Sequence, residues 1–110
     1  MSNAQSYGQQ AIQQATGSDA RKLAELTDKV LFRDIWERSE LAKRDRSIVT
    51  VAALVAMYRL EQLPFHLNLA IENGVTKVEL TEIITHLAFY SGWPTAYSAI
   101  KLLNAMPSKD

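Results

Sequence analysis

Gly74-Val75-Thr76-Lys77-Val78-Glu79-Leu80-Thr81-Glu82-Ile83-Ile84-Thr85-His86-Leu87-Ala88-Phe89-Tyr90-Ser91-Gly92-Trp93-Pro94 is the most informative stretch of the chain. Thr76-Lys77-Val78-Glu79 fits a capping box, in which the threonine hydroxyl accepts from the backbone N–H three residues on and the glutamate reaches back to the threonine N–H. A helix therefore opens here. Leu80, Ile83, Ile84, Leu87 and Ala88 recur at three-to-four spacing and line its buried stripe. Gly92 stops that helix, and Pro94 begins the next, which carries Ala96, Ala99, Ile100, Leu103 and Met106.

Upstream, Pro64 begins a helix that Gly74 ends from the position just past the C-cap. Before it, a helix is predicted from about Lys43 to Arg59. Its start is charged (Lys43, Arg44, Asp45, Arg46), and from Ile48 to Met57 only Thr50 interrupts an apolar run. A helix apolar on all sides is buried in a core or between subunits. Leu23, Leu26, Val30, Leu31 and Ile35 predict a first amphipathic helix, with Ser18 as its N-cap, Asp19 in its first turn and an end near Trp36 to Arg38. Ser39 to Lys43 interrupts the helical pattern. No stretch alternates with period two. The fold class is all-α, a compact domain of about five to six helices over residues 18–110. Residues 1–17, rich in glutamine and poor in large apolar groups, read as a mobile arm, and Ser2-Asn3-Ala4 resembles vector-derived sequence.

The chain's 110 residues suit one domain, burying roughly two thirds of the unfolded surface. Lysine plus arginine balance aspartate plus glutamate at 12 each, which gives no net field to attract nucleic acid or an anionic membrane. There is no cysteine, so disulfides, thiolate nucleophiles and thiolate metal ligands are excluded. The start lacks the pattern of a signal peptide, and the Ile48–Met57 run is about half of what a bilayer requires. The expectation is a cytoplasmic protein.

Two histidines carry most of the possible chemistry, His66 and His86. His66 shares a helix face with Ala70 and Asn73. His86 shares one with Glu79, Glu82 and Tyr90, and Glu82 with His86 forms an i,i+4 pair. Each also has a plain structural reading, His86 as a histidine held by Glu82 and His66 as a packed histidine bonded to a neighbouring helix. Two histidines on different helices lack metal-ligand spacing, so no metal is expected. No glycine-rich phosphate loop, nucleophile elbow or dinucleotide fingerprint is present. Arg44-Asp45-Arg46 could bind a carboxylate-bearing ligand.

Three segments resemble the carboxymuconolactone decarboxylase family. Leu41-Ala42-Lys43-Arg44-Asp45-Arg46-Ser47-Ile48-Val49-Thr50-Val51-Ala52-Ala53-Leu54 is similar to its entry segment. Gln62-Leu63-Pro64-Phe65-His66-Leu67, followed by Ala70-Ile71-Glu72-Asn73-Gly74-Val75-Thr76, resembles its central histidine helix and turn. His86-Leu87-Ala88-Phe89-Tyr90-Ser91-Gly92-Trp93-Pro94 resembles its closing motif. The resemblance covers roughly residues 20–106. It implies an all-helical, alkylhydroperoxidase D-like fold that assembles into homotrimers or homohexamers with pockets near subunit interfaces. In the thiol branch of this family, a glutamate, a Cys-x-x-Cys pair and a histidine carry peroxide reduction. Here Ser47, Arg59 and Gln62 stand at the first three positions, and only His66 is kept. Thiol peroxidase activity is therefore rejected, because the reaction needs a thiolate.

The resemblance that remains is to the decarboxylase branch, whose reference reaction converts 4-carboxymuconolactone to an enol-lactone without metal or organic cofactor in aromatic compound catabolism. It implies a lyase acting by acid/base chemistry on a small carboxylated lactone or related metabolite, with no cofactor. His66 is expected as the acid/base with His86 close to the ligand. Arg44 or Arg46 would hold a substrate carboxylate, Ser47 would line the site, and Trp36, Tyr90 and Trp93 would shape an apolar wall. The three aromatics also fit core or interface packing, and Ser47 fits a residue that back-bonds within its helix. The alternative for the whole chain is a non-catalytic oligomeric protein of the same fold that binds a small molecule.

Overall fold

The computed structural model describes residues 20–107; the expected N-terminal arm over residues 1–17, with Ser18 and Asp19, lies outside them. Every regular element among the described residues is helical. No helix there is long and apolar enough to cross a membrane. The chain forms two compact units that divide between Lys43 and Arg44.

The second unit holds most of the helical structure: α2 (Lys43–Ala56), α3 (Leu63–Glu72), α4 (Lys77–Ser91) and α5 (Trp93–Ala105). Its core is built from the stripes read in the sequence. Leu63, Leu67, Leu80, Ile84 and Leu103 are fully buried with Val51 and Val55, and Ile83, Leu87, Ile100 and Met106 pack against them. Each large aliphatic side chain so buried contributes about 1.5–3 kcal/mol against conformational entropy. Ala96 and Ala99 face the same core, and small residues there let α5 pack closely on α4 and α3.

The helix ends show why the chain turns where it does. Thr76 caps α4: its hydroxyl accepts from the Glu79 backbone N–H at 3.0 Å, and Glu79 Oε1 accepts from the Thr76 N–H at 2.9 Å. At the end of α3, Gly74 N–H donates to Ile71 and Val75 N–H to Ala70, the paired bonds of a Schellman closure, with Gly74 at φ 99°. Gly92 alone separates α4 from α5. It has φ 103° and ψ 151°, a region open essentially to glycine, and Pro94 sits in the first turn of α5 as expected.

Two helix boundaries differ from the sequence reading. The helix expected to reach Arg59 ends at Ala56. Tyr58 N–H donates to Val55 and Arg59 N–H to Leu54, so the closure has the same Schellman form, but Tyr58 occupies the left-handed position at φ 60°. No glycine or proline marks it. Nor is α2 buried all round within one chain: Val51 and Val55 are covered, whereas Val49 remains 59% exposed and Met57 is also exposed.

In the first unit, α1 (Arg21–Leu26) widens without interruption into a π-helical segment, Thr27–Phe32, and a short 3₁₀ turn follows over Ile35–Glu37. The widening is seen in the Arg33 N–H, which donates to Asp28 five residues back at 3.0 Å. Among the described residues of this unit, Asp28, Phe32 and Trp36 are buried, and Leu23, Leu26, Val30, Leu31 and Ile35, the stripe expected to face inward, are exposed in the single chain. The Phe32 and Trp36 rings lie with centroids 5.7 Å apart.

Candidate functional site

Two side-chain contacts between helices of the second unit lie at one end of α2. Arg44, Ser47, Val51 and Val55 follow one another at helical spacing, so the stripe that α2 turns inward begins polar and becomes apolar. Its polar end meets the connection between α3 and α4. Ser47 is fully buried, and its Oγ accepts from Asn73 Nδ2 at 3.0 Å. Asn73 is the C-cap residue of α3. One turn earlier on α2, Arg44 Nη2 donates to Glu79 Oε2 in an ion pair. Glu79 thus serves two partners. Its Oε1 closes the cap of α4 and its Oε2 holds Arg44. The Thr76 backbone N–H, helped by the Arg44 guanidinium, holds the Glu79 carboxyl below the usual carboxylate range.

His66 lies on α3, partly buried, with Nδ1 out of contact with solvent and its ring edge-on to Phe65 at 5.1 Å. Burial pushes its pKa down to about 4, because an imidazolium loses hydration there. At neutral pH the side chain is therefore neutral.

His86 lies on α4 and is exposed. Its ring faces Tyr90 one turn on, with centroids 5.0 Å apart, and it makes no ion pair with Glu82. Phe89 and Trp93 meet edge-on across Gly92, also at 5.0 Å. Tyr90 and Trp93 are thus exposed aromatics in a single chain, where an apolar wall was expected. Arg46 is half-buried, and its carbonyl accepts from Thr50 Oγ1 at 2.8 Å. Trp36 belongs to the first unit, where it is buried against Phe32.

Of the expected site residues, the structure brings Arg44 and Ser47 to the same end of α2, and pairs His86 with Tyr90. Arg44 and His86 make no direct polar contact. Asn73 and Glu79 were not anticipated as partners of that end. The capping box located Glu79, but its link to Arg44 spans 35 residues, and a residue's reach across such a separation leaves no periodic trace. Among the described residues, no group of three or more His, Asp or Glu side chains is placed to hold a metal ion.

The sequence profile of the carboxymuconolactone decarboxylase family matches residues 21–105. The chain belongs to this family. Its all-α fold is the one that membership implies. The chain is 41% identical over 69 residues to a 4-carboxymuconolactone decarboxylase of Acinetobacter baylyi, a match covering 63% of this chain and 52% of the relative. It is 31% identical over 107 residues to a nitrosuccinic acid decarboxylase of Metarhizium robertsii, covering 94% of this chain and 74% of the relative. The match therefore spans about half the length of the Acinetobacter protein. The matched residues of this carboxymuconolactone decarboxylase family member include both histidines, the Arg44–Glu79 pair and the Ser47–Asn73 bond.

Proposed function

We propose that the chain is a carboxy-lyase that removes CO₂ from a small carboxylic acid without metal or organic cofactor. The observation that carries this reading is membership of the family over residues 21–105, together with two relatives named as decarboxylases of different acids. Their named substrates share one chemical feature. The carboxylate lost can leave its electron pair in a conjugated acceptor, a lactone carbonyl in one and a nitro group in the other. Such a reaction asks two things of a protein. Hydrogen-bonding or cationic groups must stabilise the charge that develops on the acceptor oxygen, and a proton donor must then reach the carbanionic carbon.

His66 fits the second task. A neutral imidazole within a partly buried helix takes up a proton when an anionic substrate binds nearby, and hands it to carbon once CO₂ has left. His86, beside Tyr90, stands close to the ligand. Arg44 or Arg46 holds the carboxylate that is not lost, and the exposed rings of Tyr90 and Trp93 complete the walls. The active form is a homotrimer or homohexamer. Supporting this, Val49, Met57, Phe89 and Tyr97 remain exposed in the single chain, and aromatic and aliphatic surface of this kind is what subunit contacts cover.

The test is an ultraviolet assay of the purified protein with 4-carboxymuconolactone and with nitrosuccinate, run beside His66→Ala. Turnover that disappears in the variant, with helicity and assembly unchanged, is the expected result. Full activity in His66→Ala removes the histidine from the mechanism. No turnover of either acid by the wild-type chain turns the assignment toward a small-molecule-binding protein of the same fold.

A further inference from the structure

We propose that Glu79 is a positioning residue for Arg44, fixing one edge of the guanidinium so that the other edge receives a carboxylate of the ligand. The inference rests on the reading of Arg44 as the carboxylate-holding group and adds to it the residue that sets its geometry.

Arg44 donates to Glu79 through one N–H of Nη2, which leaves the other four N–H groups of the guanidinium, the second one on Nη2 among them, for a further acceptor. The two side chains remain 40% and 43% exposed, so the pair is open to a ligand. An arginine on an exposed helix start ordinarily samples many rotamers, and fixing it on a ligand costs much of that freedom. Here the partner is itself immobilised. Glu79 Oε1 accepts from the Thr76 N–H at 2.9 Å and from Thr76 Oγ1 at 3.3 Å, so the position of Oε2 is set by the first turn of α4. A free surface glutamate would give no such reference point. The helix that carries Arg44 is fixed independently one turn away, through Ser47 and Asn73. Both ends of the ion pair are therefore anchored before any ligand arrives, which is the condition for a preorganised clamp.

Positioning and simple electrostatics give opposite signs for Glu79→Gln. Glutamine also serves at this place of a capping box, so the fold is retained while the negative charge beside Arg44 is removed. If Glu79 merely competed for Arg44, an anion would bind the variant more tightly. If it positions Arg44, binding weakens. The probe is succinate, titrated into the full-length chain and followed through the Arg44 side-chain N–H signals by NMR, with thermal unfolding in parallel. The expected result is an ordered Arg44 that shifts with succinate in the wild type, and a disordered one binding about fivefold more weakly in Glu79→Gln, at unchanged melting temperature. Equal or tighter binding by Glu79→Gln overturns the proposal and leaves the carboxylate reading of Arg44 intact. An Arg44 ordered by Glu79 but indifferent to succinate, with Arg44→Gln binding it equally well, overturns the carboxylate reading and reduces Glu79 to a structural residue.

Discussion

Asn73 Nδ2 donates to Ser47 Oγ over 3.0 Å, joining the C-cap of one helix to a fully buried serine in the second turn of another, 26 residues away. Ser47 Oγ could not be left alone at that depth without cost, since a buried polar atom that loses its partner forfeits its hydration without recompense. Ser47→Ala and Asn73→Ala should each destabilise the protein by about 1–2 kcal/mol, and the double variant by less than the sum of the two. Urea unfolding of the four species measures the coupling. Additive losses would mean that the two residues act separately.

His66 gives the stability curve a specific acid limb. Its pKa falls from 6.5 to about 4 on folding, so between those values the unfolded chain binds more protons than the native one. Its contribution is therefore fully present above pH 6.5 and is lost as the pH falls through about 4. His66→Gln should flatten this part of the curve by roughly 2 kcal/mol relative to the wild type. Denaturant titrations at pH 7 and pH 4 check it; parallel losses in both proteins would assign the acid sensitivity to carboxylates alone.

The two Schellman closures make a matched pair. Gly74→Ala puts a side chain at φ 99° with open space around its Cβ, so the expected loss, about 1 kcal/mol, is purely conformational. Tyr58 already bears that strain at φ 60°. Tyr58→Asn, which tolerates the left-handed region, should be neutral or stabilising by up to about 0.5 kcal/mol despite losing the 3.3 Å contact with Ser98 Oγ. Melting temperatures of the two variants should move in opposite directions or, for Tyr58→Asn, remain in place.

Gly92→Ala should be the more severe glycine substitution. No packing clash opposes it, the nearest atom to a new Cβ being Pro94 Cδ at 3.9 Å, but the backbone region is one that alanine avoids. A loss of about 2–3 kcal/mol follows, read as a lower urea midpoint. An unchanged midpoint would show that the α4–α5 junction relaxes readily.

If the exposed apolar residues are covered by other copies of the chain, light scattering should find an oligomer, and Val49→Lys or Phe89→Lys should lower its mass while circular dichroism stays the same. An unaltered mass in both variants would place the contacts elsewhere.

The sequence was most legible where a helix end carries its own chemistry. Thr76 with Glu79, Gly74, and Gly92 with Pro94 marked their boundaries to the residue, because each boundary is made by local bonds or by a conformation that few residues accept. Legibility failed where the cause is not local. Tyr58 ends α2 in a position normally given to glycine. In the first unit the apolar stripe of Leu23, Leu26 and Val30 is exposed in the single chain, whereas Asp28, Phe32 and Trp36 are buried, and apolar spacing does not point to a buried aspartate. At the charged end of α2, the sequence draws attention to Arg44 through its charge cluster and to both Arg44 and Ser47 through the family resemblance. Their partners Glu79 and Asn73 were hidden because hydrogen bonds across 35 and 26 residues depend on the assembled helices.

The double use of Glu79 also imposes an order of events on folding. Its Oε1 is held by Thr76, three residues away, whereas its Oε2 waits for Arg44 at the far side of two intervening helix ends. Closing the small ring costs little chain entropy and closing the large one much more. Chain entropy therefore favours winding the first turn of α4 before the guanidinium arrives, and an ordered Arg44 would report that this part of the chain has finished folding.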